Sequence, residues 1–311
     1  MRLFFVVEEE HYMSYLELYT TPTLKFGGAA CKFKDSDYVI IGVPIDYTSS
    51  YRSGSRFAPL AIREASLNIE GLSFRTWKNV DDLKIHDAGD LHISADLKET
   101  LRRLELVTGE VLGEGKTPIL IGGEHTLTLG STRGIREDFN VLCFDAHLDL
   151  RNEYMEQRIS HATVMRRIHE YVKPRRIIMA GTRAACEEEI AYAKENEICF
   201  ISSHEINREG TRDISRKIKK LLGDEEPLYL SLDLDVLDPA FAPAVQTPEP
   251  EGISTYQLLE IISNLNFERL IAFDLVEVTP HYDSGVTVIV AAKIIFEILS
   301  LMSNFRDKHV A

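Results

Sequence analysis

The sequence predicts an α/β fold built on a parallel sheet with helices on both faces. Three observations carry that reading: apolar runs of strand length, segments of helical period between them, and no repeat or low-complexity linker dividing the chain. Eight runs read as strands: "YVIIGVP" (38–44), "KIHDAGD" (84–90), "TPILIGG" (117–123), "NVLCFDA" (140–146), "RRIIMAG" (175–181), "EICFIS" (197–202), "PLYLSLDLD" (227–235) and "LIAFDLVEV" (270–278). Most are continuously apolar rather than alternating, as strands covered on both faces are. Between them, "DLKETLRRLELVTGEVLGEG" (96–115) and "STYQLLEIISNL" (254–265) carry the helical period. Strand alternating with helix points to a parallel sheet, because a helix is the usual crossover between parallel strands. A closed barrel shares this alternation, and pattern alone leaves it open. With no linker or internal repeat, residues 1–311 read as a single domain. Its motif-bearing core spans about 38–300, after an N-terminal extension of about 1–37.

Composition narrows the function classes. The chain is 44% hydrophobic and 27% charged, which suits a globular protein with a sizeable core. Its net charge is −14, from 49 acids against 35 bases, and no basic run appears. Nucleic-acid binding as a main role is therefore not expected, whereas a cationic ligand would be favoured. Cys31, Cys143, Cys186 and Cys199 form no CxxC pair, as expected of reduced thiols in a cytoplasmic protein. "MRLFFVVEEE" is too short and too acidic for a signal peptide. "GVTVIVAAKIIFEIL" is interrupted by Lys293 and Glu297, so it reads as a core helix rather than a membrane span.

The chemistry-bearing letters follow the strands. "GGEH" follows "PILI", "DAHLD" follows "VLCF", "DLD" follows "LYLSL" and "EVTP" follows "FDLV". Open parallel sheets bind ligands beyond the carboxyl ends of their strands. At such an end, residues two apart point the same way, so Asp145 shares a face with His147, and Asp149 can follow if the chain curls. Asp233 and Asp235 repeat the spacing, and two glycines let the backbone turn closely before His125. Burying even one unpaired carboxylate costs several kcal/mol, so four clustered aspartates require cations, and two divalent ions would supply about +4. Carboxylates and imidazoles without cysteine suit Mn²⁺, with Zn²⁺, Co²⁺ or Fe²⁺ also compatible. Two ions ~3.5–4 Å apart could share and activate one water, which reads as catalysis rather than a structural clip.

In order along the chain, "GGEH", "FDAHLDLR", "SHATVMRR", "SLDLDVLDPAFAP" and "LVEVTPHYD" resemble the motifs of the ureohydrolase family, the arginases and agmatinases. "GVPIDYTSSYRSGSRFAPLAIREAS" also resembles its agmatinase branch, and the likeness covers about 38–300. The resemblance implies a three-layer αβα fold with an eight-stranded, mostly parallel sheet and two Mn²⁺ ions per chain. It implies that His125, Asp145, Asp149 and Asp233 hold one ion. His147, Asp145, Asp233 and Asp235 would hold the other, with Asp145 and Asp233 shared. His161 matches the family's proton-carrying loop histidine; here the tripeptide is His161-Ala162-Thr163 where many relatives have His-Gly-Thr. Glu277 matches the residue that pairs with the substrate guanidinium, a planar bidentate contact. Asp149, His161 and Glu277 are thus the expected catalytic residues. The family also suggests a trimer or hexamer.

The implied reaction cleaves a guanidino compound to urea and an amine. The loop "LRNEYMEQRISH" (150–161) lacks the Asn- and Ser/Thr-rich pattern of arginases. Agmatine is therefore the first expectation, giving putrescine; guanidinobutyrate or another guanidino acid comes next, and arginine after them. Glu153 and Glu156 are expected to favour a substrate's distal ammonium, and Arg151 to face outward in an ion pair. The glutamates at 187–189 read as solvated surface. Two other readings lose ground because all six ligand positions are kept. One is a deacetylase-like enzyme using a single Zn²⁺; the other is an inactive relative acting as a binding subunit.

Overall fold

The computed structural model describes residues 14–310 apart from 224, 225 and 266. "MRLFFVVEEE" lies outside the described residues. Among the described residues the strands are β1 (Thr20–Thr21), β2 (Tyr38–Val43), β3 (Ile85–Leu91), β4 (Thr117–Gly122), β5 (Asn140–Phe144), β6 (Arg176–Thr182), β7 (Cys199–Ser202), β8 (Leu228–Asp233) and β9 (Leu270–Val276). They form one open sheet in the order β1-β3-β2-β4-β9-β8-β5-β6-β7, which excludes a barrel. All eight expected strands are present and pair in parallel. The expected count of eight is corrected to nine, because the N-terminal extension adds β1 antiparallel to β3 at the edge. Gly89 makes room for it: its φ is +89°, and a Cβ there would come within 2.0 Å of the Thr21 carbonyl oxygen.

Strand residues alternate between two apolar layers. On one face Ile40, Ile119, Leu142, Ile178, Leu230 and Phe273 join a core with helices Ala58–Ser66, Thr255–Ser263 and Val286–Val310. On the other, Val39, Leu120, Val141, Met179, Tyr229 and Ala272 meet helices Leu97–Gly113, Leu127–Arg133 and Val164–Arg167. The result is a three-layer αβα arrangement. The segment Val286–Asn304 is long and apolar enough to cross a membrane, yet 78% of it is buried inside the fold.

This topology positions the site. Strands β4, β9, β8 and β5 are neighbours in the sheet although they are far apart in the chain. Ile121 pairs with Leu275, Leu275 with Leu232, and Leu232 with Phe144. The residues just beyond are therefore level across four central strands.

Candidate metal centre

His125, Asp145, His147, Asp149, Asp233 and Asp235 converge at that level edge. The His125 Nδ1 atom lies 3.3 Å from an Asp145 oxygen, 3.0 Å from Asp149 and 3.3 Å from Asp233. The His147 Nδ1 atom lies 3.0 Å from Asp235 and 3.6 Å from Asp145. Asp145 thus faces both imidazoles. Close backbone packing sets the His125 side of the cluster. A Cβ on Gly123 would come within 2.0 Å of the Ile45 carbonyl oxygen, so only glycine lets this turn approach the segment after β2. Asp149 (φ +52°) and Glu277 (φ +70°) both occupy the left-handed region, a strained choice for residues with a Cβ and one that functional sites concentrate.

Backbone donors hold the carboxylates in place. The Ala146 amide donates to Asp235 (3.0 Å), the His147 amide to Asp145 (2.6 Å) and the Asp235 amide to Asp233 (2.9 Å). Behind His125, its Nε2 meets Ser231 Oγ at 3.0 Å, and that hydroxyl donates to buried Asp274 at 2.7 Å. A ligating histidine is commonly oriented through its second nitrogen in this way. The front nitrogen, Nδ1, is buried and lacks a hydrogen-bond partner.

With only the chain's own charges, this cluster is electrostatically frustrated. Burial, reinforced by Asp145, raises the Asp149 pKa to about 7. Burial, then Asp235 and Asp145, pushes Asp233 well above the usual carboxylate range. Burial would lower the His125 pKa, but the surrounding acids outweigh it and raise it well above normal. Full ionisation of the carboxylates at neutral pH therefore needs added positive charge. The buried unpartnered nitrogen, the ring of carboxylate oxygens and the Asp145–His147–Asp235 group fit divalent cations. The Cys143 thiol, also near His125, lies on the imidazole's Nε2 side at 3.8 Å, and burial pushes its pKa up.

Glu277, at the end of β9, is buried; its Oε1 accepts from the His125 amide at 2.5 Å while Oε2 has no partner. Its pKa is well above normal, chiefly through burial. His161 opens the turn 161–163 and is 8% exposed. Burial first, then the His147 and His125 charges, lower its pKa to about 4, so it is neutral near pH 7. The Tyr154 ring stands edge-on to it at 5.8 Å.

A cavity of about 250 Å³ opens over the cluster, lined by His147, Asp149, His161, Asp233 and Glu277. Three expectations need correction here. Glu153 and Glu156 are exposed and do not line the cavity; beyond the ligand aspartates and Glu277, the acids at its wall are Glu189 and Glu249. Glu189, expected on the solvated surface, is buried, because the amides of Leu150 (3.0 Å) and Cys186 (2.9 Å) both donate to it. Arg151 lines the cavity instead of facing outward, resting over the Tyr154 ring with its Nε 3.8 Å from Glu189. Sequence reasoning also missed Thr48 and Ser50, which meet the His161 ring, and Glu124, which holds Thr48; the quoted "GGEH" contained Glu124, but nothing local in the sequence paired it with a loop 76 residues earlier.

The arginase family model matches residues 36–300. An agmatinase from Pyrococcus horikoshii is 33% identical over 291 residues, covering 92% of this chain and 99% of its own. N(1)-aminopropylagmatine ureohydrolase from Thermococcus kodakarensis is 34% identical over 297 residues, covering 93% and 98%. Among solved structures, the agmatine ureohydrolase of Thermoplasma volcanium superposes with a TM-score of 0.87 at 33% identity, covering 93% of this chain and 97% of that one. Four neighbouring strand ends bearing these ligands and Glu277, within a match this long, lead to one conclusion: the chain belongs to the arginase family of ureohydrolases, on its agmatinase branch.

Proposed function

We propose that this ureohydrolase cleaves agmatine to putrescine and urea, using two Mn²⁺ ions. The carrying observation is the buried, unpartnered Glu277 Oε2 on the wall of a cavity that also holds the ligand cluster. His125, Asp145, Asp149 and Asp233 would hold one ion, and His147, Asp145, Asp233 and Asp235 the other. Such a pair supplies Lewis-acid charge and activates water for attack at neutral pH. Glu277 would bind the planar guanidinium by charge-assisted hydrogen bonds, leaving its carbon open to the water.

Hydrolysis breaks the bond between the guanidinium carbon and the chain nitrogen, which leaves as an amine only after gaining a proton. His161, neutral and beside the cavity, would take the water's proton and return it to that nitrogen. Glu249 would receive the distal ammonium, since its carboxylate accepts no hydrogen bond among the described residues whereas Glu189 is occupied by two amides. The names of the relatives support agmatine and its longer derivatives. A role in polyamine formation, a cytoplasmic location and a homotrimer or homohexamer complete the proposal. The acidic chain and its buried apolar helix give no support to nucleic-acid or membrane partners.

Arg151 favours a second reading, a guanidino acid such as guanidinobutyrate, because it lines the cavity where a carboxylate could meet it. Competing agmatine, arginine and guanidinobutyrate in one Mn²⁺-loaded urea-release assay separates the two. Agmatine should exceed arginine by at least ~100-fold in kcat/KM, as expected when a substrate's polar group is left unpaired. Equal hydrolysis of guanidinobutyrate would favour the second reading and overturn the first.

A further inference from the structure

The surroundings of His161 contain a buried carboxylate that the reaction above does not use. Glu124 is fully buried, one residue before a metal-ligand position. The Thr48 amide donates to its Oε2 at 2.7 Å, and the Thr48 hydroxyl donates to its Oε1 at 3.1 Å. The same hydroxyl lies 3.1 Å from His161 Nδ1 and accepts from the His161 amide at 3.1 Å. On the other side of the ring, Nε2 lies 3.2 Å from Ser50 Oγ, at the cavity wall.

We propose that Glu124, acting through Thr48, is a positioning residue that fixes which nitrogen of His161 faces the reaction without a proton. A hydroxyl has one hydrogen and two lone pairs, and both Glu124 oxygens accept from Thr48, one from its amide and one from its hydroxyl. The Thr48 hydrogen is committed to Glu124. Its lone pairs then take the His161 backbone N–H and the Nδ1–H, so the ring proton resides on Nδ1. Nε2 is left as the acceptor, aimed at the cavity with the Ser50 hydroxyl beside it. A partner on one ring nitrogen commonly determines the chemistry of the other. The loop carrying Thr48 is itself fixed: Asp46 accepts from the Gly54 amide (2.6 Å) and from Arg56 (2.9 Å), and Arg52 donates to the Pro243 carbonyl (2.9 Å). His161 thus receives its tautomer and its orientation from a segment more than a hundred residues away.

This inference rests on the reading of His161 as the proton carrier, and its test separates the two. In Glu124→Gln the side-chain amide would donate to Thr48, freeing the Thr48 hydrogen for Nδ1 and moving the ring proton to Nε2. In the Mn²⁺-loaded enzyme kcat should fall about 100-fold, the usual weight of a positioned acid or base, with KM and metal content unchanged. Thr48→Val should reproduce the loss without altering the neighbour of a ligand, and Thr48→Ser should restore activity. In a His161→Ala background, Glu124→Gln should cost nothing further, because both changes remove one function. Near-normal kcat in Glu124→Gln and Thr48→Val, or losses that multiply in the His161→Ala background, would overturn the inference. Near-normal kcat in His161→Ala alone would instead overturn the proton-carrier reading, and this inference with it.

Discussion

Two buried charge clusters sit on the same sheet and differ in who supplies the countercharge. In the first, Arg63 is fully buried and grips Asp87 with Nε (2.8 Å) and Nη2 (2.9 Å), while Nη1 reaches Asp90 at 2.6 Å. The Phe26 and Gly89 amides complete Asp87 at 2.8 and 2.9 Å. That cluster is satisfied by the chain and fastens the N-terminal extension to β3. In the second, four aspartates and Glu277 face two histidines, and buried atoms of His125 and Glu277 have no partner. A guanidinium is close by, but Arg183 spends its donors on backbone carbonyls of Asp235 (2.7 Å), Glu249 (2.8 Å) and Pro250 (2.9 Å). The chain completes one cluster and leaves the other to cations. Acidic letters alone do not distinguish a structural cluster from a functional one; the supply of partners does.

Substitutions should break the two clusters in opposite ways. Arg63→Met strands two carboxylates beneath the sheet edge and should cost about 3–5 kcal/mol in urea unfolding. Added Mn²⁺ should stabilise this variant no more than it stabilises the parent. Asp233→Asn should lower urea release by about 10³-fold, with each tenfold worth about 1.4 kcal/mol, and should reduce bound metal below two per chain. Its metal-free form should unfold no earlier than the parent's, since a neutral amide replaces a carboxyl that is costly to ionise in this buried cluster; earlier unfolding would mean that Asp233 is structural.

Smaller effects sharpen the division of labour inside the second cluster. His161→Ala should reduce kcat about 100-fold at unchanged metal content, because His161 lies beside the ligands without being one. Parent-like turnover would remove it from the reaction. Glu249→Gln should raise KM for agmatine about tenfold, roughly 1.4 kcal/mol, with kcat preserved. An unchanged KM would shift ammonium recognition to Glu189 or to solvent.

The sequence made the first level of this organisation readable and left the second hidden. Eight parallel strands showed as apolar runs because both faces of the sheet are covered. The ligand residues showed because parallel strands deliver their chemistry at their ends, where spacing by two is visible. β1 did not show, since two threonines carry no period. Glu189 was obscured by its neighbours: within three consecutive glutamates, nothing marks the one that folds back onto the amides of Leu150 and Cys186. Glu153 and Glu156 illustrate the reverse error: nearness in sequence to the ligands pointed to the substrate, but the loop turns both to solvent while Tyr154 and Arg151 line the cavity. The partners of His161 come from segments beginning at residue 48, so only folding reveals them.

A second cluster built for two cations should reveal itself in metal stoichiometry. The chain would be dialysed to equilibrium against Mn²⁺, its bound metal measured per chain, and urea release from agmatine followed on the same samples. Two ions per chain, with activity rising as the second site fills, is the predicted result. Full activity in protein that holds at most one ion per chain would contradict the account.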